Sequence, residues 1–230
     1  RADWAAGDKK TRRGTANMRK DPAMTREEAV KALEIGIEAA NEAIEKGYKV
    51  LGTGEMGIGN TTPSTAIFAV LGDVDPEEIT GVGANLSEDL TKNKAQVIRD
   101  AIALNKPDKN DPVDILSKVG GLEIAAMTGV MLAGAACHVP VVVDGYISTA
   151  SAAIAIALKP EVKDYLICSH ASDEKGAKFG SELLDFAPFL HMDMRLGEGS
   201  GAALAFYLLD AAVAMNRDMA TYADVNMDVV

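Results

Sequence analysis

The stretch Gly54–Thr62 reads G-E-M-G-I-G-N-T-T. It follows a short apolar run, Tyr48 to Leu51, and precedes Pro63 and a second apolar segment, Ala66 to Leu71. That order reads as strand, glycine-rich turn and helix start, the context in which α/β proteins bind phosphorylated ligands. Thr62 is the expected N-cap, with Pro63 at the first helical position. Glu55 is the odd member, because a carboxylate inside an anion cradle needs a task other than holding phosphate. A second glutamate between glycines stands near the other end of the chain, in L-G-E-G-S-G, Leu196 to Gly201. The pair suggests two carboxylates facing one substrate.

Working outward, Thr25 to Lys46 reads as a helix: Thr25 can cap, Glu28 completes a capping box, and Val30, Leu33, Ile37, Ala40 and Ile44 form one stripe. Gly47 ends it. On the other side, Ser87 opens a helix to about Asn105 with Leu90, Val97, Ile98, Ala101 and Leu104 facing inward. Lys92 and Lys94 fall in its first two turns, where cations oppose the helix dipole. They are either solvated or recruited for an anion. Leu122 to about Cys137 is a helix whose Gly129, Ala133 and Gly134 leave a low surface for close packing.

Val139 to Val143 is a continuous β-branched run, as expected of a strand buried on both faces. The polar residues just past it, from Asp144 through Ser148 to Thr149, occupy the place where open α/β sheets put ligands. Ala150 to Leu158 is an internal helix. Tyr165 to Cys168 is a further strand leading to polar residues that include His170 and Ser172, and Met192 to Leu196 is another. Ala202 to Met215 closes the chain as an amphipathic helix. Four strand-then-loop units in parallel order predict a three-layer, Rossmann-like α/β domain with a mainly parallel sheet over residues 25–230. Residues 1–24 form a positively biased arm before it.

Composition narrows the function. The net charge of -11 lacks the basic field that nucleic acid or an anionic membrane surface would require. No apolar run is long and uninterrupted enough to span a bilayer, and no secretory signal is visible, so a cytoplasmic location is expected. Cys137 and Cys168 both sit in apolar surroundings and read as buried thiols in a reducing compartment. The three histidines do not combine with them at metal-ligand spacing, so neither metal nor cofactor is expected.

The opening motif is not a P-loop, since Asn60 stands where a lysine would help, and its glycines lack the dinucleotide spacing. No nucleophile elbow is present. His170 follows a strand and could touch a ligand or serve as a structural imidazole. Two glycine-locked carboxylates can act as a general base and as the electrostatic partner of a developing cation, the arrangement used when a bond at an anomeric carbon is exchanged.

G-E-M-G-I-G-N-T-T, G-G-L-E-I-A-A-M-T-G, V-P-V-V-V-D-G-Y-I-S-T-A and R-L-G-E-G-S-G-A-A-L-A, in this order, resemble the nicotinate-nucleotide:dimethylbenzimidazole phosphoribosyltransferases of cobalamin biosynthesis. The likeness runs from about Gly14 to the C-terminus. It implies small-molecule substrates, with phosphoribose moving from nicotinate mononucleotide to 5,6-dimethylbenzimidazole by direct displacement and inversion, in a homodimer. It implies Glu198 as the general base that deprotonates the benzimidazole, and Glu55 beside the ribose and reacting carbon. Gly57, Gly83, Lys94 and Ser172 match the phosphate site, and Asn60, Thr61, Asp144, Ser148, Leu196 and Gly197 complete the expected substrate contacts. Family members normally carry a segment before the arm that builds part of a small domain and of the base pocket, so helices of an incomplete small domain are expected. The same chemistry on another acceptor, such as adenine or a phenol, remains open. So does a non-catalytic nucleotide-binding module, which would bind nucleotide saturably without turnover.

Overall fold

The computed structural model describes residues 9–81, 88–222, 224 and 225. Helix α1 (Arg26–Glu45) begins with the full capping box: the Thr25 hydroxyl accepts from the Glu28 N–H while the Glu28 carboxylate accepts from the Thr25 N–H. Its buried face follows the expected stripe at Leu33 and Ala40 but is otherwise built from smaller residues. Ala29, Ala32, Leu33, Gly36 and Ala40 turn inward, and Val30 is 37% exposed. The reason is the partner, α6 (Leu122–Ala136), which approaches so closely that a Cβ at Gly36 would collide with the Ala126 carbonyl and one at Gly129 with the Leu33 carbonyl. Small residues, not large ones, mark this contact. Dense packing without voids follows from that choice.

Strands β1 (Leu51–Gly52), β2 (Val141–Val143) and β3 (Leu166–Cys168) form a parallel sheet in that order, with Leu51 opposite Val141 and Val142 opposite Ile167. Val141 and Val143 point to one side, into a core with α1, α2 (Thr61–Gly72), α5 (Pro112–Val119), α6 and α7 (Tyr146–Leu158). Val142 points to the other, against Ala202, Ala205 and Phe206 of α9 (Ser200–Asp218). This is the three-layer arrangement, and the alternation along β2 is why the strand is apolar throughout.

The single four-unit sheet does not form. Strands β4 (His170–Ser172) and β5 (Leu190–Met194) make a second parallel pair. Ser169 is the switch between them: its N–H donates to Val143 in the first sheet, and its carbonyl accepts from Leu190 in the second. One residue thus closes one ladder and opens the next.

The long α4 (Glu88–Asn105) and the short α3 (Pro76–Ile79) and α8 (Ala177–Leu184) complete the outer layer. Ile98 and Ala101 of α4 are buried, but Leu104 is 53% exposed, contrary to the expected face. Leu90 and Ser87 lie outside the residues whose side chains are described. The polar arm is strapped down from residue 9 onward by Arg12–Glu28 and Arg19–Asp100 ion pairs, with Ala23 and Met24 buried and their N–H groups bonded to the end of α5. Cys168 is buried, which pushes its thiol up to about 12, whereas Cys137 is exposed rather than buried. Both are free.

Candidate active site

The turn after β1 and the N-terminus of α2 form one wall of a cleft of about 560 Å³. Helix α2 starts two residues earlier than expected, at Thr61, with Asn60 rather than Thr62 at the cap position. The Asn60 side chain makes no capping bond. Its amide instead donates to Glu55 Oε2 at 2.6 Å, beside the Gly57 N–H at 2.6 Å on the same oxygen. The first-turn N–H groups of α2 therefore keep their partial positive charge for the cleft, which Thr61 and Thr62 line.

Glu55 is anchored through one carboxylate oxygen only. The other, Oε1, points at the Gly197 turn, where an added Cβ would sit 2.9 Å away. Asn60 is buried, and its Oδ1 has no hydrogen-bond partner among the described residues. Glu123, at the start of α6, belongs to the same group. Loss of hydration pushes its carboxyl up, a hydrogen bond with Asn60 opposes this, and the Glu55 charge adds to it.

Lys94 projects from α4 into the opposite side of the cleft. Lys94 is 9% exposed, and its ammonium donates to Thr61 Oγ1 at 2.8 Å. Burial lowers its pKa, and Glu174 nearby works against that shift. A buried lysine beside a helix N-terminus is a site built for an anion. Gly57, Ser172, Leu196 and Gly197 line the same cleft. Gly83 lies outside the described residues.

The second glutamate sits on an unusual backbone. Gly197, Glu198 and Gly199 have φ of 76°, 58° and 72°, three left-handed residues in succession. For glutamate this conformation costs about 1–2 kcal/mol, so the surroundings must impose it. They do so from two sides: the Glu198 N–H donates to the Glu55 carbonyl at 2.7 Å, and Gly54 lies so close beneath that any Cβ there would strike Gly199. Glu198 is exposed, its carboxylate makes no hydrogen bond to the described residues, and it lines a recess of about 550 Å³ that shares Glu55 and Met56 with the main cleft.

Asp144 and Ser148 are not brought to the cleft. Asp144 is fully buried; Oδ1 accepts from Gly201 at 2.7 Å and Ala202 at 3.1 Å, and Oδ2 from Gly199 at 3.2 Å. It is the cap of α9 supplied from 55 residues away, and it fixes the turn that carries Glu198. The polar cluster was expected in a loop, but α7 begins at Tyr146, so Ser148 is already helical and its hydroxyl faces Met127 in the core. Arg195 and Glu174 line the cleft without having been singled out as contacts, and His170, read as either a ligand contact or a structural imidazole, lines it with them. No periodicity or spacing marks them, since each becomes a neighbour only through the sheet switch at Ser169.

A phosphoribosyltransferase family profile, DBI_PRT, matches residues 2–227. The chain belongs to this phosphoribosyltransferase family. Among its relatives, nicotinate-nucleotide–dimethylbenzimidazole phosphoribosyltransferase of Alkaliphilus metalliredigens is 58% identical over 221 residues, 96% of this chain and 63% of that protein. The enzyme of the same name from Clostridioides difficile is 54% identical over 220 residues, again 96% and 63%. The crystal structure of CobT from Thermus thermophilus superposes with a TM-score of 0.90 at 40% identity, covering 96% of this chain and 66% of that one. The chain therefore spans just under two thirds of the length of these relatives.

Proposed function

We propose that the protein transfers phosphoribose from nicotinate mononucleotide to 5,6-dimethylbenzimidazole, releasing nicotinate and forming α-ribazole 5'-phosphate. The observation that carries the reading is the pairing of the two glutamate turns beside an anion site, within a chain of this family. The 5'-phosphate occupies the end of the cleft made by Lys94, Thr61, Gly57, Ser172 and the α2 N-terminus. Asn60 and Gly57 hold Glu55 so that its free oxygen meets the ribose and stabilises positive charge at the anomeric carbon as nicotinate leaves. Leu196 and Gly197 form the wall towards the acceptor. Glu198, on its fixed turn, takes the ring N–H proton of dimethylbenzimidazole as the nitrogen attacks from the face opposite nicotinate, which inverts the configuration. No covalent enzyme intermediate is needed.

The substrates are small molecules, and the protein works in the cytoplasm as a homodimer. Among the described residues no helix is long and apolar enough to cross a membrane. Leu204, Tyr207, Leu208 and Val213 are exposed on α9 and suit an assembly face. Sedimentation is expected to show a dimer, and a monomer at high concentration would contradict that part. For the activity, incubation with nicotinate mononucleotide and dimethylbenzimidazole is expected to release nicotinate in step with α-ribazole phosphate. Binding of the nucleotide without release would overturn the catalytic reading.

A further inference from the structure

His170 is a titratable group of the cleft to which the proposed reaction gives no task. It opens β4 directly after the sheet switch, is 3% exposed, and lines the cleft alongside Gly145, Ser172 and Lys94. Its ring is fixed in position. A Cβ at Gly201 would collide with Nδ1, and one at Gly145 would lie 3.4 Å from Cε1 and Nε2, so glycines on two elements leave the imidazole one slot.

The tautomer follows from the partners of Nδ1. Ser169 Oγ lies 3.1 Å away, and the same hydroxyl is 2.8 Å from the Val143 and Asp144 carbonyls. Its single proton goes to those carbonyls, so towards the ring it presents a lone pair. The other neighbour of Nδ1 is the Asp144 carboxylate, with Oδ1 at 3.9 Å, also an acceptor only. Nδ1 therefore carries the hydrogen. Burial lowers the pKa of the imidazole, and the Asp144 charge only opposes that, so the ring is neutral near pH 7. Nε2 is left as a bare acceptor with no partner among the described residues.

From this geometry we infer that His170 Nε2 accepts a hydrogen bond from a ribose hydroxyl of the bound nucleotide and so selects ribo- over deoxyribonucleotides. An acceptor beside an anion site is of no use to the phosphate, which offers no hydrogen at neutral pH, and Lys94 and the α2 N–H groups already serve it. The sugar attached to that phosphate is the nearest part of such a substrate with hydroxyl donors. The inference rests on the proposed phosphoribosyl donor.

The test compares nicotinate mononucleotide with its 2'-deoxy and 3'-deoxy analogues, by calorimetric binding to the full chain. Wild-type protein is expected to bind one analogue roughly tenfold more weakly than the parent. In His170→Leu that ratio should collapse towards one, while His170→Gln, which keeps an acceptor near the Nε2 position, should retain part of it. General structural damage would weaken parent and analogue alike and leave the ratio unchanged. Should the variants fail to fold, ¹⁵N imidazole shifts of the wild type decide the matter. The His170 Nε2 resonance should move upfield when the parent nucleotide binds and not when the discriminated analogue does. An unchanged ratio in His170→Leu, no discrimination by the wild type, or an unmoved resonance would overturn the inference and leave the donor assignment standing. A wild-type chain that binds none of the three nucleotides would overturn both.

Discussion

At Glu55 the backbone is relaxed and the side chain is tied down; at Glu198 the backbone is forced and the side chain is loose. Both stand between glycines, and in sequence they look alike. Glu55 gives one carboxylate oxygen to two donors, Gly57 and Asn60, and keeps the other for the cleft. Glu198 spends no carboxylate oxygen on the described residues, and its position is set instead by three consecutive left-handed residues locked from below by Asp144. A carboxylate anchored by hydrogen bonds is held in one place and suits electrostatic stabilisation. One fixed only through its main chain keeps both oxygens open to an incoming N–H, as a general base requires.

The comparison breaks most completely at Asp144. Asp144→Ala leaves three N–H groups under α9 without an acceptor and frees the Glu198 turn. Nicotinate release should fall about 10²–10⁴-fold, as far as removing the base itself, and chemical denaturation should show a loss of about 3 kcal/mol. A variant that is destabilised yet fully active would separate the cap from the catalytic turn and contradict the account. Lys94→Met comes next: nucleotide binding should weaken about 10- to 100-fold, the worth of a charge-assisted bond to phosphate. Because burial lowers the Lys94 pKa, wild-type affinity should fall with rising pH before an ordinary lysine would titrate, and the variant should lack that fall.

Asn60→Ala tests the other turn. It removes one of the two ties on Glu55 and, with it, the buried Oδ1 that has no partner, so stability should move by no more than about 1 kcal/mol. Turnover should drop roughly tenfold with nucleotide affinity nearly intact. The smallest effect concerns His170. Its folded-state pKa is lowered, so on acidification below about 6.5 the unfolded chain takes up the proton first and stability declines until the folded-state value is reached. His170→Gln should remove that part of the slope.

Much of the scaffold was legible in residues close together in sequence. The Thr25–Glu28 capping box, the β-branched β2 and the small-residue α6 all formed as read. The buried face of α1 was read correctly at Leu33 and Ala40 and missed elsewhere, because the decisive contact uses Gly36 and alanines, which a search for large apolar residues passes over. The division of the sheet was missed because one hydrogen-bond exchange at Ser169 makes it, and a serine between an apolar run and a polar one gives no warning. Among the site residues, Asp144 was placed near the substrate because it follows a central strand. Its actual partners are N–H groups of residues 199–202, a contact that only the folded chain creates.

The account stands or falls on the different tasks of the two glutamates. Glu198→Gln and Glu55→Gln should be compared for single-turnover nicotinate release in the presence of dimethylbenzimidazole, each alongside its nucleotide affinity. Glu198→Gln is expected to slow release by about 10²–10⁴-fold while binding nicotinate mononucleotide as the wild type does, and Glu55→Gln to impair both affinity and release. Release at the wild-type rate from Glu198→Gln, or identical losses in the two variants, would contradict it.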